Sequence, residues 1–254
     1  MKQQEPIRLW AVALWLVLWQ VGSMAMAAHF PHGHILLASP LEALSRLASL
    51  SRTAAFWQAI LFSSLRIFGG FLLAAGLGVL LAALAACFQS LRELLSPLVA
   101  AVKAVPVVSF IILALVFFSA RSLPALIAAL MVFPPIYLNV LSAIAGTDPE
   151  LLEMARVFRI PLGRQLRGIY LPAVLPAFRA ACSLSLGLCW KAGIAAEVIG
   201  LPTGSVGERL YTAKVYFETG DLFAWTAVIV ALSLLFEKLF LKLLDLGAER
   251  VVRL

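Results

Sequence analysis

Long apolar runs alternate with short polar segments along the whole chain. A helix needs about 20 apolar residues to cross a bilayer, and six runs approach or reach that length. They cover residues 9–28, 59–87, 97–118, 123–145, 175–199 and 222–244. The pattern predicts an all-α, polytopic transmembrane bundle of six spans that forms a single domain over residues 1–254.

The first run has two interpretations. A basic start and small residues at 25–28 fit a cleaved signal peptide. Its length and the aromatic residues Trp10, Trp15 and Trp19 favour a retained membrane anchor. After it, residues 41–50 form an amphipathic piece that is too polar to span, and residues 200–221 are expected to form a loop.

Composition narrows the class further. Hydrophobic residues make up 63% of the chain and charged residues 13%, whereas a soluble domain carries about 25% charged residues. A soluble enzyme, a disordered tail and a disulfide scaffold are therefore excluded. The net charge of +7 fits basic cytoplasmic loops better than a nucleic-acid partner, because membrane proteins collect Lys and Arg on the cytoplasmic side.

The basic residues also predict the orientation. With the N-terminus inside, ten of the twenty Lys and Arg residues fall in cytoplasmic segments and five in outer segments. We therefore expect a multi-pass protein of the bacterial inner membrane with both termini in the cytoplasm.

Small residues recur every four positions in the second span. Such a stripe allows two membrane helices to approach closely, so we expect this helix to be buried among others. The stripe consists of Gly70, Ala74, Gly78, Ala82 and Ala86.

Polar residues within the later spans are candidates for a solute path. Pro134-Pro135 removes two backbone donors, which predicts a bend or break in the fourth span, and Asn139 follows one turn later. Lys191 and Glu197 are charges in the fifth span, which are costly unless they face a cavity or a partner. Asn139 also fits a kinked packing helix, Lys191 also fits snorkelling or pairing, and Glu197 lies near the outer end, where it would reach water.

The segment between spans four and five predicts a short amphipathic helix. Asp148 is a good N-cap and Pro149 suits the first helical position. The residues of one face are apolar, namely Leu151, Met154, Ala155 and Phe158. The helix is too short to span, so it either lies on lipid or docks a soluble partner.

This segment resembles the signature of bacterial ABC importer permeases: Glu-Ala-Ala, three residues, Gly, nine residues, Ile-x-Leu-Pro. Met154 and Arg159 depart from it, in place of the second signature residue and of the Gly. The matching positions are Glu153, Ala155, Ile169, Leu171 and Pro172.

The resemblance extends over residues 36–245. Within the family, the chain is similar to the branch that serves nitrate, sulfonates and taurine. The segments that carry it are Pro40, Ser64-Leu65-Arg66, Gly70-Phe71, Lys103-Ala104-Val105-Pro106, Phe133-Pro134, Asn139, Trp190, Ala196-Glu197 and Gly204 to Gly207.

The resemblance implies a type I importer permease that forms a homodimer. Its coupling loop, residues 147–172, would dock an ABC ATP-binding subunit, and an extracytoplasmic substrate-binding protein would deliver the solute. Arg159 cannot make the turn of the signature Gly cheaply if positive φ is needed, and Pro161 and Gly163 could supply a break instead.

Other chemistries have less support in the residues. The chain lacks a Gly-Lys pair, so it cannot hydrolyse ATP through a P-loop. We expect a non-catalytic membrane subunit without a cofactor, with ATP hydrolysis by a separate chain. His29, His32 and His34 could in principle bind Zn²⁺, although ordinary loop histidines are the simpler interpretation.

A secondary transporter and an intramembrane enzyme remain alternatives, but no internal repeat and no catalytic set supports them.

Overall fold

The computed structural model describes residues 9–30 and 36–252, and the regular elements of this part of the chain are helical. In chain order the helices are α1 (Leu9–His29), α2 (Pro40–Leu50), α3 (Ala54–Cys87), α4 (Gln89–Ala104), α5 (Val107–Phe117), α6 (Leu123–Ala145), α7 (Pro149–Val157), α8 (Leu162–Gln165), a π-helical turn (Leu166–Tyr170), α9 (Leu171–Gly200), α10 (Val206–Val215) and α11 (Thr219–Val252).

The all-α, polytopic fold is confirmed. Four helices in the described residues are long and apolar enough to cross a membrane: α1, α3, α6 and the continuous stretch Leu162–Gly200, which contains α9. A fifth span forms if α4 and α5 are counted together. The predicted number of six depends in addition on α11, so six spans stay a prediction.

The third span differs from the continuous helix that was predicted over residues 97–118. α4 and α5 meet at Val105 and Pro106 with a bend of 109°. Pro106 cannot donate a backbone hydrogen bond, and it restricts the residue before it to extended conformations. Val105 accordingly has φ −77° and ψ 132°, so the helix ends there and restarts at Val107.

Close contacts establish the direction of the central helices. A methyl group added at Gly70 would overlap the Ala125 carbonyl, and one added at Gly78 would lie 2.9 Å from Ile136 Cγ2. The higher-numbered residue of α3 thus meets the higher-numbered residue of α6, so the two helices run parallel. The α4–α5 pair runs in the opposite direction, because Arg92 and Leu141 line one cavity and Val107 and Met131 line another.

Gly70 and Gly78 of the small-residue stripe pack against α6, a partner that the spacing alone does not predict. Gly70, Ala74, Gly78 and Ala82 are buried, whereas Ala86 is exposed and Ala85 is buried instead. A helix turns about 100° per residue, so each four-residue step drifts by about 40°. After four steps Ala86 has left the interface.

α6 continues as one helix through Pro134-Pro135, so the helix does not break there, and a bend stays a prediction. Val132, Ile136 and Tyr137 are buried, and they hold the helix against its neighbours on either side of the prolines. Asn139 Nδ2 donates to the Pro135 carbonyl at 2.8 Å.

α9 and α11 run antiparallel. Arg179 pairs with Asp245, and Ser183 donates to Glu237.

Residues 200–221, which were predicted to be a loop, contain the ten-residue helix α10. Ser205 caps α10 by accepting from the Glu208 amide at 3.0 Å, which explains how a polar segment becomes helical.

Candidate functional site

Two adjoining cavities open between α4 and α6. The first has a volume of about 370 Å³ and reaches from Lys103 to Asn139, with Leu188 of α9 at its edge. The second, about 290 Å³, shares Lys103 and Leu138 with the first and adds Arg92. Among the described residues that line these cavities, none is Asp or Glu. The electrostatic environment therefore favours an anion over a cation.

The polar residues predicted to lie on the path occupy different environments. Asn139 is exposed and lines the first cavity. Lys191 is also exposed and lies one helical turn beyond Leu188, on the same side of α9. Their roles in a path stay predictions.

Glu197 is 0% exposed, so the expectation that it reaches water is wrong. The N-terminus of α10 packs against it. Its Oε2 accepts from Ser63 Oγ at 2.8 Å and from the Gly207 amide at 2.9 Å. Ser63 Oγ in turn accepts from the Val206 amide at 3.0 Å. The carboxylate thus joins α3, α9 and the N-terminus of α10, and it does not line either cavity.

Gly207 is required for this close approach. A methyl group there would overlap Glu197 Cβ, and its distance to the Val198 nitrogen would be 2.7 Å. Segments around Ser64, Glu197 and Gly207 were noted separately in the sequence, but Ser63 was missed. A lone serine in an apolar helix does not reveal its partner 134 positions away.

The segment between α6 and α9 contains the signature turn. Asp148 Oδ1 accepts from the Glu150 amide at 2.9 Å, which confirms the predicted N-cap. After α7, Arg159 has φ 48°. The Ile160 amide donates to the Ala155 carbonyl at 2.9 Å and the Arg159 amide to the Arg156 carbonyl at 3.1 Å. These two bonds form a Schellman motif.

Arg159 therefore adopts the left-handed conformation at the position of the signature Gly. Neither Pro161 nor Gly163 forms this turn, contrary to the alternative that the sequence offered. Gly163 lies within α8. This turn strains Arg159, because a residue with a Cβ is disfavoured in the left-handed region.

The exposed face of this segment differs from the predicted one. Ala155 belongs to the predicted apolar face but is 0% exposed, so it packs inside the chain and is not available to lipid or to a partner. Glu153, Met154, Leu171 and Pro172 are exposed, and Ile169 is half-buried. The coupling assignment of these residues stays a prediction. The most exposed apolar side chains are Val157, Phe158, Leu162 and Leu166.

The predicted histidine cluster lies largely outside the described residues. His32 and His34 fall in residues 31–35, which the structure does not describe. His29 is exposed, and its Nδ1 lies 3.0 Å from the Ala25 carbonyl oxygen.

Comparison with known proteins gives related sequences of nearly the same extent. The chain is 28% identical over 235 residues to the putative aliphatic sulfonates transport permease protein SsuC of Bacillus subtilis, covering 92% of this chain and 82% of the relative. It is 26% identical over 230 residues to the bicarbonate transport system permease protein CmpB of Synechococcus elongatus, covering 88% and 82%. It is 29% identical over 222 residues to the riboflavin transport system permease protein RibX of Chloroflexus aurantiacus, covering 87% and 81%.

Residues 74–249 match the family described as the binding-protein-dependent transport system inner membrane component. The match includes α4 to α10, both cavities and the α7 turn. Family members are non-catalytic transport components, in agreement with the expectation that this chain is not an enzyme. The chain belongs to the family of binding-protein-dependent transport system inner membrane components.

Proposed function

We propose that this permease forms the import path for a small anion, through the two cavities between α4 and α6. The supporting observation is their charge: Lys103 borders both cavities and Arg92 borders one, while the described lining residues include no acid. A cation in a cleft with apolar walls raises the local concentration of anions.

The relatives do not identify the solute by themselves. The sulfonates and bicarbonate named for two of them are small anions, whereas riboflavin is a larger, largely uncharged molecule. The choice of a nitrate-, sulfonate- or taurine-like anion therefore rests on the cavity charge together with the sequence resemblance.

Lys103 supplies the first test. The purified permease would be reconstituted with an ATP-binding subunit and a substrate-binding protein encoded beside it, and uptake of taurine, nitrate and bicarbonate measured. Lys103→Met should reduce uptake of the transported anion about tenfold, since a hydrogen bond to a charged group contributes about 1.5–3 kcal/mol and about 1.4 kcal/mol is tenfold. Lys103→Arg should retain uptake. Equal abundance of the wild-type, Lys103→Met and Lys103→Arg proteins in the membrane is the control.

Lys191 is tested in the same way. Lys191→Met and Asn139→Ala should raise the apparent KM if both side chains face the solute. Unchanged transport in Lys103→Met, Lys191→Met and Asn139→Ala at normal abundance would contradict an anion path in these cavities.

We also propose that the α7–α8 segment docks an ATP-binding subunit. Val157 is 77% and Phe158 74% exposed, and large exposed apolar side chains clustered at one turn are typical of a protein-binding surface. A Glu at position 158 would have to be buried at that contact without a partner, which costs several kcal/mol.

Co-purification of the ATP-binding subunit tests the docking. Phe158→Glu should reduce recovery at least tenfold, while Val215→Glu, a matched change on α10, should not. Equal recovery in Phe158→Glu would indicate that the segment lies on lipid instead. Uptake that persists without ATP would favour the secondary transporter.

The remaining assembly follows from the same proposal. The permease acts as a homodimer in the cell membrane, both termini are cytoplasmic, and an extracytoplasmic binding protein meets the side on which α10 lies. Reporter fusions near residue 2, within 200–221 and after residue 250 test the orientation, and an extracytoplasmic signal after residue 250 would contradict it.

A further inference from the structure

A basic cavity lies where α9 and the C-terminal half of α11 meet. Its volume is about 440 Å³ and its lining residues are Arg179, Lys238, Leu241, Lys242, Asp245 and Leu246. The five residues on α11 follow a spacing of three, four, seven and eight from Lys238, which places them on one face of the helix.

The charges in this cavity are unbalanced. Arg179 binds Asp245 through two bonds, Nε to Oδ1 at 2.6 Å and a second guanidinium nitrogen to Oδ2 at 3.0 Å. This pair is neutral and connects α11 to α9. Lys238 and Lys242 are both exposed, and neither makes an ion pair with a described residue. Glu237, the neighbouring acid, accepts from Ser183.

The depth of the lysines matches a membrane boundary. Lys238 lies nineteen residues after Thr219, the first residue of α11, which corresponds to about 29 Å at 1.5 Å per residue. The hydrocarbon core of a bilayer is about 30 Å thick. With the start of α11 at one membrane surface, Lys238 reaches the headgroups of the opposite leaflet and Lys242 lies one turn beyond.

Apolar side chains continue this face into the bilayer. Leu234 lies one turn before Lys238 on the same side and is exposed, as are Val230 and Leu235. Two cations followed by an exposed apolar track have the amphipathic form of a phospholipid, with charge complementary to an anionic headgroup.

We propose that this face binds an anionic phospholipid, with the phosphate between Lys238 and Lys242 and an acyl chain along Val230 and Leu234. The Arg179–Asp245 pair holds the two helices at the separation that forms the cavity. This site is distinct from both the anion path and the α7–α8 segment, and it does not depend on their assignment.

Native mass spectrometry of the detergent-purified protein tests the site, with phosphatidylglycerol and phosphatidylcholine as titrants. The wild type should retain phosphatidylglycerol in preference to phosphatidylcholine. Lys238→Ala combined with Lys242→Ala should weaken phosphatidylglycerol binding about tenfold or more, since each lysine near the membrane surface attracts the anionic headgroup. Lys238→Arg combined with Lys242→Arg should retain binding, and Lys214→Ala, an exposed lysine elsewhere, should have no effect.

Four results would overturn the proposal. The first is equal affinity for phosphatidylglycerol in the double alanine variant, and the second is equal retention of both lipids by the wild type. The third is displacement of phosphatidylglycerol by equimolar inorganic phosphate, which would show that the lysines bind a soluble anion. Loss of the ATP-binding subunit from the double alanine variant, with lipid retention unchanged, would assign the face to protein docking instead.

Discussion

Glu197 and Gly207 are joined by a hydrogen bond of 2.9 Å between a side-chain Oε2 and a backbone amide, in a position fully closed to solvent. The bond attaches the N-terminus of α10 to α9, and Ser63 adds α3 to the same junction. A helix N-terminus favours a negative partner, so the carboxylate serves here as an internal ligand of the fold.

Loss of the Glu197 carboxylate should destabilise this junction. Glu197→Ala leaves the Ser63 hydroxyl and the Gly207 amide without an acceptor, and each buried unsatisfied donor costs about 1–3 kcal/mol. Glu197→Gln keeps one acceptor oxygen and should cost less. The melting temperature of the purified protein should therefore fall from wild type to Glu197→Gln to Glu197→Ala. If both variants melt at the wild-type temperature, the junction contributes nothing to stability.

Gly70 should not tolerate a methyl group, although it lies within a helix. Ala is the better helix former by about 1 kcal/mol, but at Gly70 its Cβ would overlap the Ala125 carbonyl. Gly70→Ala should therefore lower the melting temperature and reduce the folded yield.

Gly76 provides the control on the same helix, because a Cβ there meets nothing within 4 Å. Gly76→Ala should be neutral or slightly stabilising. Equal behaviour of the two variants would mean that α3 and α6 do not pack as closely as described.

Arg159→Gly should stabilise the α7 turn. Arg159 has φ 48°, and the left-handed region costs an L-residue about 1–2 kcal/mol relative to glycine. Hydrogen exchange at the Ile160 amide, which donates to the Ala155 carbonyl, should slow severalfold. A β-branched replacement, Arg159→Val, should accelerate it. Unchanged exchange in both variants would contradict the assigned strain.

Ala155→Glu should act on the permease itself before any partner binds. Ala155 is fully buried within the chain, so a charge there has to displace the α7 segment or be buried unpaired. Limited proteolysis of the permease alone should show faster cleavage near residues 146–170 in Ala155→Glu than in Phe158→Glu. Equal resistance of the two variants to proteolysis would indicate that Ala155 is exposed, contrary to the structure.

The membrane class, the bundle and the position of the connecting helix could be predicted from the sequence, because apolar run length and capping residues are local signals. Asp148 and Pro149 predict the start of α7 on their own, and the spacing of Gly70, Ala74 and Gly78 predicts a close helix contact, although not its partner. The sequence does not reveal the break between α4 and α5, because hydropathy is continuous across Pro106.

Only the tertiary structure decided which side of each element is covered. α7 places Ala155 inward and Phe158 outward, and a helical wheel cannot distinguish a face that packs on the same chain from one that awaits a partner. Glu197 is buried because α10, far along the chain, folds back and presents its amides to the carboxylate. Burial depends on long-range packing of this kind, whereas the sequence alone determined which segments are apolar, where helices begin and which residues carry charge.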